Sequence, residues 1–275
     1  MLQPYQYTKW DASGNTTLFF QKGLNLPKAK IIKAQSEREL CAEQTAFVSA
    51  EDHSLQMAGG ELCVNATRSF GAYLAREAWR KGIREEKQKF TVNISGWFRP
   101  VEVSVKGGEG PEWTVVLTLK MRFCGVENFG KEGLILRLPG IRHMVVDEGL
   151  AGNIEDNCTD IKARVREMVQ EYKLYEEPAG GVIWARKVGK MWRIRPVIYV
   201  KALDTVYEEQ ACGSGSMALA MARWYYDDGM EQIIQQPSGE KIKVNLFYSK
   251  VVKGLKMRIR ITGPVRLVSE GTWYA

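Results

Sequence analysis

Short runs of alternating apolar and polar residues fill most of the first half of the chain. YQYTKW (5–10) and TTLFF (16–20) read as strands flanking the polar turn DASGN (11–15). QTAFVSA (44–50), FTVNISGWF (90–98), VEVSV (101–105) and WTVVLTLKM (113–121) continue the pattern, the last after the turn KGGEGPE. KAKIIKAQSEREL (28–40) can carry a short helix. Between about Ala66 and Lys81 the period changes to that of a helix, with Phe70, Tyr73, Leu74 and Ala78 on one face and Gly82 placed to terminate it.

The second half repeats the plan. LILRL (134–138), HMVV (143–146), GVIWARKV (181–188) and WRIRPVIYV (192–200) are strand candidates. TDIKARVREMVQEY (159–172) opens on a Thr/Asp cap and spaces Ile161, Val165, Met168, Val169 and Tyr172 as a helix does. CGSGSMALAMARWYYDDG (212–229) is a glycine- and serine-rich turn running into a helix. KIKVNLFYSK and LKMRIRITG form a closing hairpin, and VRLVSEGTWYA is a further strand. Two helix starts then stand out as counterparts: CVNATRSFGAYLA from Cys63 and CGSGSMALAMARW from Cys212. Each sets a cysteine and small or polar residues before an alanine-rich apolar helix, so one supersecondary unit is expected twice.

Composition narrows the classes. The chain of 275 residues is 45% apolar, enough for one large or two smaller cores. No apolar run approaches membrane-span length, and MLQPYQYTKWDASGN lacks the basic-then-apolar start of a secretory signal, so a soluble, cytoplasmic protein without membrane association is expected. The net charge of +7 is scattered rather than gathered into a binding motif, which argues against nucleic acid as a partner. Five cysteines (Cys41, Cys63, Cys124, Cys158 and Cys212) form no CxxC pair, and the two histidines, His53 and His143, have no second ligand at metal-site spacing. Free thiols are expected, with no disulfide framework and no metal.

A cysteine at a helix start has two readings. It can be a small buried hydrophobe. Alternatively, the partner-less N–H groups and the helix dipole can stabilise a thiolate and lower its pKa, and the same N–H groups can hold a carboxylate. Two such sites facing one substrate would allow one sulfur to remove an α-proton and the other to deliver one, without metal or pyridoxal phosphate. The developing enediolate would be stabilised by the helix N-termini in a closed site.

The residues then resemble a known family over nearly the whole chain: the diaminopimelate epimerase-like, cofactor-independent amino-acid racemases. SGNTT resembles the family's N-terminal loop, EQTAFV its glutamine-bearing strand, and GGELCVNATRS its first cysteine motif. RHMVV is similar to its central strand, VYEEQACGSGSMA to its second cysteine motif, and TGPVRLVSEGTWYA to its closing strand. The resemblance implies an α+β fold of two pseudo-symmetric halves, each a curled, mostly antiparallel sheet around a central helix. It places them at 1–126 with a returning strand at 264–275, and at 127–263, with a boundary near 123–131 and the site in the cleft between them. It further implies that Cys63 and Cys212 are the acid/base pair. Asn15, Gln44, Asn65 and Ser214 would contact substrate, and N–H groups near Val64, Asn65, Gly213 and Ser214 would hold its carboxylate. Glu208 or Glu209, with His143, would bind the α-ammonium, and Glu43 the amino group or side chain.

Two departures refine the resemblance. Val64 stands where the first motif carries glycine. YEEQAC is shorter than the corresponding diaminopimelate epimerase segment and lacks the arginine that grips a distal carboxylate, which points away from diaminopimelate. These shortenings, with ASGN and CAEQTAFV, are most similar to the histidine racemase branch of staphylopine-type metallophore synthesis. Phenazine-type isomerases of this fold work without paired cysteines. Other readings stand beside these: Asn15 as a turn cap, His143 as a hydrogen-bonded core histidine, Cys41 as a packing residue, Cys124 and Cys158 as packing or surface residues, a racemase of another amino acid including diaminopimelate, and the whole chain as a non-catalytic amino-acid or nucleic-acid binder. A homodimer is left open.

Overall fold

The alternating runs do become strands, and two helices are buried among them. A computed structural model describes residues 3–23, 26–123, 126–129, 133–152, 159–226, 229–251 and 254–275. Cys124, Cys158 and part of the expected 123–131 boundary lie outside the described residues. The chain divides into two compact units, Met1–Leu117 with Thr262–Ala275, and Thr118–Ile261. Among the described residues no helix is long and apolar enough to cross a membrane.

In the first unit, β1 (Pro4–Ala12) and β2 (Asn15–Gln21) form a hairpin whose two-residue loop is Ser13-Gly14. Both loop residues have positive φ, 61° and 103°, the signature of a loop whose twist matches that of its strands. The DASGN turn is therefore narrower than the polar run: Asp11 and Ala12 belong to β1 and Asn15 to β2. Helix α1 (Leu26–Glu39) then crosses to β3 (Gln44–Ser49), which runs parallel to β2. β4 (Ser54–Met57) is antiparallel to β3, and helix α2 (Val64–Arg80) crosses to β5 (Lys87–Ile94), parallel to β4. β6 (Val101–Lys106) and β7 (Glu112–Arg122) follow. The last strand of the chain, β16 (Gly254–Tyr274), lies beside β7 and, through residues 265–274, also pairs with β1. The strand path of this unit thus closes on itself.

The second unit uses the same order of connections. β8 (Val126–Phe129), β9 (Gly133–Leu138) and β10 (Ile141–Asp147) are antiparallel neighbours. A short helix α3 (Glu148–Ala151) and helix α4 (Ile161–Glu171) lead to β11 (Ala179–Val188), parallel to β10. β12 (Met191–Val200) returns antiparallel with β13 (Thr205–Glu208) on it, and helix α5 (Gly213–Tyr225) crosses to β14 (Glu231–Gln235), parallel to β12. β15 (Lys241–Val251) pairs antiparallel with β14. Each unit is therefore a mixed sheet in which antiparallel pairs are interrupted by two parallel ones, each spanned by a helical crossover. α2 corresponds to α5.

Burial explains why these helices sit where they do. Residues 64–75 of α2 and 213–222 of α5 are all buried, an all-round coverage that a surface helix does not have. In α2, Phe70 stacks on Tyr73 at 5.9 Å, and both meet Phe19 edge-on. Close approach to β6 depends on Gly71, where a Cβ would lie 2.2 Å from Val103 Cγ1. In α4 the expected stripe holds: Ile161, Val165, Met168 and Val169 pack on Met144, Val182, Trp184 and Val197, and Asp160 caps the helix through the Ala163 N–H at 3.0 Å.

Gly71→Ala tests this packing. Alanine adds about 1 kcal/mol of helix propensity, but overpacking costs about 1–3 kcal/mol. We expect a net loss of stability in urea unfolding, largely recovered in Gly71→Ala/Val103→Ala. Additive effects of the two substitutions would refute the contact.

Candidate active site

The two cysteine-bearing helices begin in one and the same way. Cys63 is the N-cap of α2 with φ −120° and ψ 107°, and its sulfur accepts the Ala66 N–H at 3.3 Å. Cys212 is the N-cap of α5 with φ −129° and ψ 105°, and its sulfur accepts the Gly215 N–H at 3.2 Å. An extended N-cap turns the side chain back over the first helical turn, where sulfur takes the role usually given to oxygen. A second bond repeats as well. Thr67 Oγ1 donates to the Cys63 carbonyl at 2.7 Å, and Ser216 Oγ donates to the Cys212 carbonyl at 2.7 Å. Around each sulfur the first-turn N–H groups form a positive pole suited to a carboxylate.

The surroundings of the two sulfurs differ. Cys63 is half-buried. Asn65, two residues on, accepts a hydrogen bond from Arg68 Nη2 at 2.8 Å, and the Arg68 guanidinium also donates to Ser13 Oγ at 3.2 and 3.3 Å. Arg68 is fully buried, and no carboxylate among the described residues ion-pairs with it. Burial lowers its pKa to about 10, and the charges of Cys63 and Asp11 oppose that shift. Room for it comes from Gly263, where a Cβ would stand 2.3 Å from Nη1 and 2.9 Å from Ser13 Oγ.

Cys212 is buried, and its backbone N–H donates to Gln236 Oε1 at 2.9 Å. Gln236 Nε2 in turn donates to Ser216 Oγ at 3.0 Å. Ser214 Oγ lies 3.5 Å from the sulfur and 3.0 Å from His143 Nε2. A Cβ on Gly215 would meet Ile183 Cδ1 at 2.6 Å and the sulfur at 3.0 Å, so glycine is what lets the thiol lie against the helix start. Burial pushes the Cys212 thiol well above its ordinary range, and the nearby Glu209 carboxylate adds to this, against the opposing bonds from Ser214 and Gly215. For this cysteine the expected lowering is therefore reversed: desolvation outweighs the helix pole. A cavity of about 830 Å³ in this unit is lined by Leu134, Trp192, Leu219, Arg223 and Tyr226, and Cys212 is not part of its lining.

Residues 5–274 match the family described as "Histidine racemase CntK N-terminal domain". The chain belongs to the histidine racemase family. It is an isomerase of the amino-acid racemase class. A histidine racemase of Fusobacterium nucleatum subsp. nucleatum is 29% identical over 99% of this chain and 98% of that protein. One from Staphylococcus aureus is 23% identical over 99% and 98%. Among solved structures, a hydroxyproline epimerase from Agrobacterium vitis with bound trans-4-hydroxy-L-proline superposes with TM-score 0.65 at 11% identity, covering 99% of this chain and 92% of that one. A Bacillus anthracis phenazine biosynthesis protein of the PhzF family gives 0.61 at 16%, covering 98% and 99%. These likenesses establish the fold.

In this histidine racemase family member the expected site residues fall into local groups. Asn15 is fully buried; its Nδ2 donates to Glu43 Oε2 at 2.8 Å, and its Oδ1 accepts from Gln44 Nε2 at 2.7 Å. Its side chain thus belongs to a polar trio rather than serving as a turn cap. Val64 is buried as the first residue of α2 and is not a positive-φ position, so the helix start does not require glycine there. Gly213 and Ser214 open α5. His143 is fully buried on β10, with Gly181 opposite on β11 leaving space for its ring. Burial drives its pKa down to about 3, so it is a neutral hydrogen-bond partner of Ser214. Glu208 is exposed and ion-paired with Arg195 at 2.9 Å, the Glu209 carboxylate acts on Cys212, and both glutamates line one cavity with Arg195 and Pro196. Cys41, expected to pack, is exposed.

Sequence reasoning missed Thr67, Ser216, Ser13, Arg68 and Gln236. The hydroxyl four residues after each cysteine, in CVNAT and CGSGS, is a signal that could have revealed the first two.

The His143 environment predicts an acid limb in stability. The unfolded chain takes up a proton near the ordinary histidine value of 6.5, and the folded chain only near 3. The stabilisation is complete above the unfolded value and is lost as pH falls through that window. The urea midpoint should drop between about pH 7 and pH 4, and less steeply in His143→Gln. Equal slopes would refute the assignment.

Proposed function

We propose that this racemase inverts the α-carbon of histidine with two cysteine thiols and no cofactor, on a diaminopimelate epimerase-like scaffold. The observation that carries the reading is the duplicated helix start, with sulfur on the third N–H and a hydroxyl on the cysteine carbonyl in both units. A sulfur held this way sits beside a carboxylate-binding pole, so the group that moves the proton and the group that stabilises the enediolate share one turn of helix.

In this reading the substrate carboxylate is held by N–H groups near Val64, Asn65, Gly213 and Ser214, with its α-carbon between the sulfurs. A thiolate at Cys63 takes the α-proton, and the C–H electron pair passes into the carboxylate as an enediolate. The thiol of Cys212 then delivers its proton to the opposite face. The product leaves Cys63 protonated and Cys212 as thiolate, the state that acts on the other enantiomer. The buried, protonated Cys212 suits the acid half of this cycle. Asn15 and Gln44 position the substrate. In the same reading Glu209, with His143, binds the α-ammonium, and Glu43 recognises the amino group or the side chain. D-Histidine made this way would supply opine-type metallophore synthesis.

Each L-amino acid incubated with the protein in deuterium oxide should show α-deuteration only for histidine. Cys63→Ser and Cys212→Ser should each lower racemisation by about 10²- to 10⁴-fold. Full activity in both serine variants would rule out the two-thiol mechanism, and deuteration of another amino acid alone would rule out histidine.

A further inference from the structure

The repeated helix start makes one difference between the units conspicuous. Five residues after Cys63 stands Arg68; five residues after Cys212 stands Met217. Both are fully buried. Helical side chains lean back toward the N-terminus, and Arg68 does so, reaching Asn65 in the first turn. Three separate stretches of chain are shaped around it. The β1–β2 loop turns Ser13 into the left-handed region and sets its hydroxyl under the guanidinium. Asn65 supplies its amide oxygen, and Gly263 on β16 supplies the missing Cβ. Yet among the described residues Nε has no hydrogen-bond partner, and the acceptors of the cation are the neutral Ser13 and Asn65 side chains. A buried charge is retained only where an opposite charge offsets its desolvation.

We propose that Arg68 is a positioning residue whose buried guanidinium is the counter-charge of a Cys63 thiolate, so that the resting protein holds Cys63 ionised and Cys212 protonated. This rests on the two-thiol reading above. The other titratable groups nearby do not replace Cys63 as the counter-charge. Asp11 is already paired with Arg266 at 2.7 Å. Glu61 is buried, and burial raises its carboxyl toward the neutral form. Glu43 is engaged by Asn15. At the second helix start, Met217 offers no charge and Glu209 opposes ionisation of Cys212. The two helix starts are thus given opposite protonation states, and the resting protein is poised for the enantiomer whose α-proton faces Cys63.

The test is alkylation of each cysteine by iodoacetamide across pH, read by peptide mass spectrometry on the full chain, in wild type, Arg68→Lys and Arg68→Gln. In wild type the Cys63 midpoint should lie at least about one unit below the ordinary thiol value near 8.5, and that of Cys212 above it. Arg68→Gln should raise the Cys63 midpoint by about a unit or more and move the acid limb of kcat/KM with it, while Arg68→Lys restores most of the shift. A Cys63 midpoint unchanged in folded Arg68→Gln overturns the proposal. So does a wild-type midpoint at or above the ordinary value, a result that needs no variant to fold. Absence of racemisation with a low Cys63 midpoint would instead remove the functional reading and leave the ion pair standing.

Discussion

A helix that starts inside a protein must find partners for N–H groups that its own backbone cannot satisfy, and this constraint organises both units. Here a cysteine sulfur takes one N–H in each helix, and a hydroxyl four residues on bonds the carbonyl of the same cysteine. The sheets wrap the apolar bodies of α2 and α5, and each parallel crossover delivers its helix start to the interior. Gly71 and Gly215 then set how closely each helix can be approached. The proposed reactive group is therefore part of the solution to a folding problem and is not an addition to it.

With identical local geometry, electrostatics must come from outside the motif. Desolvation decides the state of Cys212, because the helix pole is a partial charge, whereas the buried sulfur has lost its water entirely and faces Glu209. The same desolvation keeps His143 neutral. The surroundings of Cys63 differ: it is half-buried, and its charge acts on the buried Arg68 guanidinium.

Much of this was legible in the sequence, for physical reasons. Long alternating runs such as WTVVLTLKM, and helical stripes such as Ile161–Val165–Met168–Val169, show their period because they span several repeats. SLQM, TVYE and EQIIQ became β4, β13 and β14 but are too short to show one. The likeness of the two cysteine-capped helix starts was visible because helix-start chemistry is local. Arg68 was not, because an arginine amid NATRSF reads as an exposed polar residue until Ser13 and Gly263, far away in sequence, are brought to it. The Arg195 partner of Glu208 was likewise hidden, because β12 and β13 bring it there only in the fold.

The pairing of β1 with β16 has a consequence for how the molecule is made. Gln6 and Thr272, hydrogen-bonded at 2.8 Å, are separated by 266 positions, nearly the whole chain. The first unit therefore lacks its closing strand, and with it Gly263, until residues 262–275 have followed the whole of Thr118–Ile261 out of the ribosome, and until then β1 keeps an open edge.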